Sequence, residues 1–355
     1  MDIKAYMKLM LEKNASDMFV RAGSNVRLRI NGQVIPIDHK IISLDEVNTA
    51  VGKLTSAEIK DTVQRNFDFS IYMPELDRRF RVSIFMQRNW PALVIRSIRS
   101  DIQSFEELNL SSEVLKKLSM EKRGLVLLTG SAGSGKSTAI ASMIEYINQN
   151  SNKHILTVEE PIEFTFKDKN SIINQRELGL DVSSYEVALR AFPLQSPDVI
   201  FIGNIRDYET MNAALTAAET GVLVLSTLHT INAAQTVERI INFFPPYQHQ
   251  EVRTQLSYLL NGVMSLRLVP LKRGSGRIPV YETMLLTPTI SRLIREGKTW
   301  EIPQFIEEGA VYGMQSFNQS LTKLVEENKI SEEDASDFSD NKDEFILALK
   351  GIRRK

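Results

Sequence analysis

The chain has 355 residues, 43% of them apolar and 25% charged, with a formal net charge of −1 and no cysteine. That length suffices for two or three domains, each burying its own core, and the lack of cysteine excludes disulfides and thiolate metal sites. A near-neutral balance gives no global pull toward nucleic acid or anionic membrane, Met1-Asp2-Ile3-Lys4-Ala5 lacks a signal-peptide pattern, and no apolar stretch approaches the ~20 residues of a membrane span; a soluble, cytoplasmic chain with no nucleic-acid partner and no direct membrane insertion is expected.

Residues 1–100 read as a small α/β domain. Ile3, Tyr6, Met7, Met10 and Leu11 mark one face of an opening helix. Arg27 to Ile30, the pair Asn31-Gly32 and Val34 to Ile37 predict a hairpin with an Asn-Gly turn. A helix capped by Ser43 follows, another begins after Ser56, and Phe67–Tyr72, Phe80–Gln87 and Ala92–Ile98 predict three strands. The polar stretch Ser100 to Glu107 reads as a linker, set at residues 101–112. From 113 to 288 strands alternate with helices, the mark of a parallel sheet covered on both faces. The candidate strands are Leu125–Leu128, His154–Val158, Val199–Ile202 and Val222–Thr227. Residues 289–355 are mostly helical and charged, with an acidic stretch from Glu332 to Asp343 and a basic tip, Arg353-Arg354-Lys355.

The chemistry concentrates at the carboxyl ends of those strands, where open parallel sheets bind ligands. Gly130, Ser131, Ala132, Gly133, Ser134, Gly135, Lys136 and Ser137 fit the P-loop pattern G-x-x-x-x-G-K-[ST] at every fixed position, with Thr138 next. An apolar strand precedes the loop, and Ile140, Ile144 and Ile147 recur behind it at helical spacing. Such a loop cradles a triphosphate on backbone N–H groups, with Lys136 on the β and γ phosphates and the Ser137 hydroxyl on magnesium; ATP and Mg2+ are the expected ligands. After the second strand come Glu159, Glu160 and Glu163, carboxylates able to orient or deprotonate an attacking water, with Glu163 the leading base. The third strand ends in Gly203-Asn204, where a carboxylate usually serves metal and water; an amide can hold a water but cannot take its proton. Asp207 lies three residues on and also reads as an ordinary helix-start residue. His229, in Thr227-Leu228-His229-Thr230, sits where it can sense a γ-phosphate.

Taken jointly, the P-loop, the acidic box, the strand end Gly203-Asn204-Ile205-Arg206-Asp207 and the Thr-Leu-His-Thr box resemble the secretion ATPase superfamily, and within it the pilus retraction ATPases of the PilT/PilU type. Arg239 to Pro245 and Thr289 to Glu296 add to the resemblance, which covers nearly the whole chain. It implies a PAS-like amino-terminal domain, a RecA-like core and a helical carboxyl-terminal region. It also implies a homohexamer at the cytoplasmic face of the inner membrane, working on a membrane platform protein. ATP would lie between the core of one subunit and the amino-terminal domain of another. Arg81 and Arg96 match arginines that serve this family as phosphate-contacting fingers; without the resemblance both read as exposed strand residues.

The chain departs from the retraction pattern at Asn204, usually glutamate, at Val222, usually histidine, and at Glu160, often aspartate. Intact ATP binding with reduced hydrolysis is the expectation. Pilus extension and type II secretion ATPases typically carry a tetracysteine zinc insertion, which a chain without cysteine lacks. A nucleic-acid motor would need a basic patch interleaved with aromatics. An accessory nucleotide-binding paralogue, docked on another retraction ATPase, is the alternative that Asn204 and Val222 favour.

Overall fold

The computed structural model describes residues 1–30, 32–55, 67–98, 101–274 and 276–349. Asn31 of the expected hairpin turn, the helix expected after Ser56, Ser100 and the basic tip Arg353 to Lys355 lie outside the described residues. The chain divides into two compact units, one of Met1–Asp101 with Pro161–Thr165, the other of Ile102–Glu160 with Phe166–Lys355.

The first unit opens with helix α1 (Ile3–Glu12), whose buried Ile3, Met7 and Met10 lie on one face. Strands β1 (Asp17–Arg21), β2 (Arg27–Ile30) and β3 (Gln33–Pro36) follow, then helix α2 (Leu44–Leu54). Ser43 starts α2 through a capping box: its side chain accepts from the Glu46 N–H while the Glu46 carboxylate accepts from the Ser43 N–H, satisfying two otherwise orphaned donors. Strands β4 (Phe67–Met73), β5 (Arg78–Gln87) and β6 (Trp90–Ser97) complete an antiparallel sheet ordered β3-β2-β1-β6-β5-β4. Apolar residues alternate onto one face, where Met18, Val20, Leu28, Val82, Ile84, Leu93 and Ile95 form a core with the two helices; the other face is largely polar.

The second unit opens with helix α3 (Ser112–Ser119), and then strands and helices alternate. These are β7 (Gly124–Thr129), α4 (Lys136–Asn150), β8 (His154–Glu159), β9 (Ile172–Glu177), α5 (Tyr185–Ala191), β10 (Val199–Ile202), α6 (Tyr208–Glu219), β11 (Leu223–Leu228), α7 (Ala233–Ile241) and α8 (His249–Leu259). Strands β12 (Leu260–Pro270) and β13 (Arg277–Leu285) end the sheet, ordered β13-β12-β7-β11-β10-β8-β9. All its pairings are parallel except β12 with β13. The four sequence-predicted strands are the central ones, apolar because helices cover both faces. β9, β12 and β13, which no clean apolar run announces, extend that sheet on either side.

Helices α9 (Pro288–Glu296), α10 (Ile302–Glu308), α11 (Phe317–Glu326), α12 (Glu332–Phe338) and α13 (Lys342–Leu349) make the carboxyl-terminal part helical, as expected. The acidic stretch is docked through Ala335, which, with Phe345 just beyond the stretch, joins Phe317, Leu321, Val269 and Val280 in a small separate core. Arg267 of β12 stacks 3.7 Å over the Phe317 ring and also holds the Phe338 carbonyl and Asp340. No helix among the described residues is long and apolar enough to cross a membrane.

Candidate nucleotide-binding site

At the end of β7 the chain turns sharply, and Gly130 is required there. Its φ is 142°, and a Cβ would fall 2.4 Å from the Leu266 carbonyl oxygen and 2.6 Å from Ser134 Oγ. Ser131, Ala132 and Gly133 form the exposed tip, and Gly135, left-handed at φ 99°, starts α4. No side chain caps that helix. Its first N–H groups and the positive end of its dipole are therefore available to an anion. Lys136 is buried and folds back on the loop, its Nζ donating to the carbonyls of Gly130 at 2.6 Å and Ser131 at 2.8 Å. Ser137 and Thr138 are half-buried in the first turn. Ser134 Oγ is buried without a hydrogen-bond partner among the described residues. An uncapped helix start, a lysine and an orphaned hydroxyl around one loop fit a polyphosphate.

The neighbouring strand ends sit on the same edge. Glu159 closes β8, buried, its Oε1 accepting from Thr157 Oγ1 at 2.7 Å and from Gln175 Nε2 of β9 at 3.0 Å. Glu160 pairs with Arg206 at 2.9 Å, both well exposed. The turn after β10 is pinned from both sides. The Gly203 N–H donates to the Val158 carbonyl at 2.8 Å, and Thr227 Oγ1 donates to the Gly203 carbonyl at 2.7 Å. The Ile205 N–H donates to the Thr227 carbonyl at 3.0 Å. Asn204 is thus held at the edge, and its Oδ1 is buried with no partner among the described residues. Asp207 is the N-cap of α6, accepting from the Thr210 N–H at 2.9 Å, which is the helix-start role.

His229 follows β11 directly and is exposed. Partial burial, then the charges of Lys136 and Arg206, hold its imidazole below the ordinary histidine pKa, so it is neutral at neutral pH. Lys136, His229, Arg206, Glu160, Glu159 and Asn204 therefore share one edge of the second unit. Gln175 and Arg206, which orient two of the carboxylates, were not among the candidate site residues. Arg206 stands in the recognised strand-end motif, whereas Gln175 lies on a strand without an apolar signature.

Three candidates belong to the first unit instead. Glu163 is exposed within Pro161–Thr165. Arg81 and Arg96 are register partners on β5 and β6, in a row across the polar sheet face that continues through Asp17 to Arg29. Arg96 Nε donates to Asp17 Oδ1 at 2.7 Å, and Arg29 Nε lies 3.1 Å from Oδ2. Burial would raise the Asp17 pKa, but hydrogen bonds from Ser16 and Arg96 and the charges of Arg96 and Arg29 outweigh it and keep the carboxyl below its ordinary range. Arg81 has a looser contact, 3.8 Å from Asp68.

A parallel sheet with a P-loop after one of its central strands, leading into an uncapped helix, defines a RecA-like nucleotide-binding protein. The family model described as Type II/IV secretion system protein matches residues 1–275. The chain is 41% identical over 352 residues to the type IV pilus ATPase PilU of Pseudomonas aeruginosa, covering 99% of this chain and 92% of that protein. It is 39% identical over 341 residues to the type IV pilus retractation ATPase PilT of the same organism, covering 94% and 97%. A crystal structure of the pilus retraction motor PilT with bound ADP matches with a TM-score of 0.90 at 40% identity, covering 97% of this chain and 98% of that one. The chain belongs to the Type II/IV secretion system protein family, among its pilus retraction ATPases.

Proposed function

We propose that this chain is an ATP-hydrolysing motor of type IV pilus retraction and twitching motility. The observation that carries the reading is a complete P-loop geometry on a chain that matches the PilT retraction motor along nearly its whole length. In this role Lys136 exchanges the carbonyls of Gly130 and Ser131 for the β and γ phosphates, and the first N–H groups of α4 cradle them. No group of three or more His, Asp or Glu side chains among the described residues could hold a metal by itself. The Ser137 hydroxyl would hold Mg2+ together with the phosphates. Bound Mg2+ supplies charge neutralisation at the phosphates. A water oxygen bonds to the γ-phosphorus, the bond to the bridging oxygen breaks with its electron pair leaving on ADP, and the water's proton passes to a carboxylate. Glu163 is assigned that carboxylate, Asn204 holds the water, neutral His229 hydrogen-bonds the γ-phosphate, and Arg81 and Arg96 stabilise the transferring group. The working form is a homohexamer peripheral to the cytoplasmic face of the inner membrane, acting on a pilus platform protein.

Asn204 favours a second reading, an accessory nucleotide-binding subunit acting on a paralogous retraction ATPase; the likeness to PilU agrees with it. Steady-state ATP turnover by the purified oligomer separates the two. Turnover that Lys136→Ala abolishes supports the motor. ATP bound without turnover supports the accessory.

A further inference from the structure

Tyr185 opens α5, and its ring packs against the main core of the second unit. Its phenol oxygen does not point into that core. It lies at the strand-end edge, against the backbone of Gly203 and Asn204, close enough that a Cβ on Gly203 would sit 3.4 Å away. That oxygen is buried and accepts only weakly from the Asn204 N–H, while its own hydrogen finds no acceptor among the described residues; Asn204 Oδ1 is likewise buried with no donor there. Phenylalanine would fill the ring's space without burying an unpaired hydroxyl, so packing alone does not account for a tyrosine here. A phenol hydrogen and an amide oxygen left unpaired at the same strand end mark a site for a third group that satisfies both. One is a donor and the other an acceptor, which is what a single water accepts from and donates to.

We infer that Tyr185 is a positioning residue of the hydrolytic site, holding together with Asn204 the water that attacks ATP. The inference rests on the motor reading above. The phenol donates to the water oxygen, the water donates one hydrogen to Asn204 Oδ1, and the oxygen's remaining lone pair forms the bond to the γ-phosphorus. The electron pair of the broken bridge leaves on ADP, and the second water proton goes to the carboxylate assigned as base. Neither Tyr185 nor Asn204 takes that proton. Burial, and after it the negative charge of Glu160, push the phenol up to about 12, with Glu159 reinforcing and Arg206 and the Asn204 N–H opposing, so the O–H stays a donor at neutral pH. An amide at position 204 thereby gains the help a lone amide lacks: the water is fixed at two points rather than one.

The test is a double-mutant cycle on the full-length oligomer with Tyr185→Phe and Asn204→Ala, together with a crystal structure of the parent chain. The inference expects Tyr185→Phe to lower kcat roughly tenfold or more, with KM for ATP and Tm unchanged. The double variant should fall no further than the weaker single variant, because both side chains act through one water. The crystal structure should show a water within hydrogen-bond distance of Tyr185 Oη and Asn204 Oδ1. Unchanged kcat in Tyr185→Phe, fully multiplicative losses, or a dry pair would each overturn it. A parent chain that turns over no ATP would overturn the motor reading instead, and the presence or absence of the bridging water would then decide this inference on its own.

Discussion

Asn204 is where the chemistry of a single residue changes most. At the end of β10 a carboxylate would add negative charge beside the metal and could accept a proton; the amide does neither. The position itself is well built, with the neighbouring backbone held to Val158 and Thr227. Replacement by glutamate therefore restores a group to a fixed location. The added charge has company in Glu159 and Glu160, but Arg206 stands beside Glu160 to offset it. Asn204→Glu is expected to raise kcat by at least about tenfold, toward the ~10²–10⁴ that general-base catalysis contributes, with KM for ATP little changed. Steady-state kinetics of the two proteins checks it. Equal turnover would mean that another carboxylate already carries the whole of the proton transfer.

Among the elements, the central strands were legible because burial on both faces leaves an unbroken apolar run, as in Leu125 to Leu128 and Val199 to Ile202. β9 was not, because Ile172 to Glu177 is an edge strand whose polar side chains meet solvent or reach into the site, as Gln175 does. β1 was hidden for a related reason: Asp17 is buried by pairing with two arginines, a relation that only the folded register creates. The P-loop could be read residue by residue because its chemistry is local, whereas the surroundings of Asn204 depend on four separate segments. Glu282 on β13 shows what long-range pairing adds. Its Oε1 accepts from the Ala233 N–H at 2.8 Å, so a carboxylate from one strand tethers the start of α7, just after the loop that bears His229. Burial pushes this carboxyl up to about 7; the Ala233 hydrogen bond and Arg267 oppose the rise, and Asp340 adds to it. The unfolded chain releases this proton near 4.5, so between there and about 7 the folded state holds a proton the unfolded state has lost. Stability falls as pH rises through that window by roughly 3 kcal/mol in all, and none of the penalty is present below it. Glu282→Gln keeps the acceptor oxygen and removes the titration. Its thermal midpoint should gain on that of the parent between about pH 5 and about pH 8. Parallel midpoint curves for the two proteins would rule out Glu282 as the titrating group.

At the scale of the whole molecule, the proposed catalytic groups are divided between the two units: the loop, His229 and Asn204 on one, Arg81 and Arg96 on the other. In a ring of identical subunits joined head to tail, a site completed by a neighbour's arginine can be rescued by mixing defects, whereas a site completed within one chain cannot. Arg81 is the better arginine to remove, because its contact to Asp68 is long and exposed, while removing Arg96 would take a partner from buried Asp17. Arg81→Ala should therefore fold with an unchanged Tm yet lose about tenfold or more in kcat, a modest part of what an arginine finger can supply. Lys136→Ala should be inactive alone while keeping its arginines. Co-expressed in equal amounts, the two variants form rings in which roughly a quarter of the junctions unite an intact loop with an intact Arg81. Turnover of the mixed oligomer is expected to exceed that of either variant alone and to approach that fraction of the parent rate. A mixture no more active than the average of its two components would place the arginine and the loop it serves in the same chain, or show that every junction in the ring must fire for any to do so. A tandem fusion of the parent chain with the Arg81→Ala/Lys136→Ala double variant distinguishes these outcomes, since every second subunit would still turn over ATP if the arginine serves its own chain, and none would if every junction must fire.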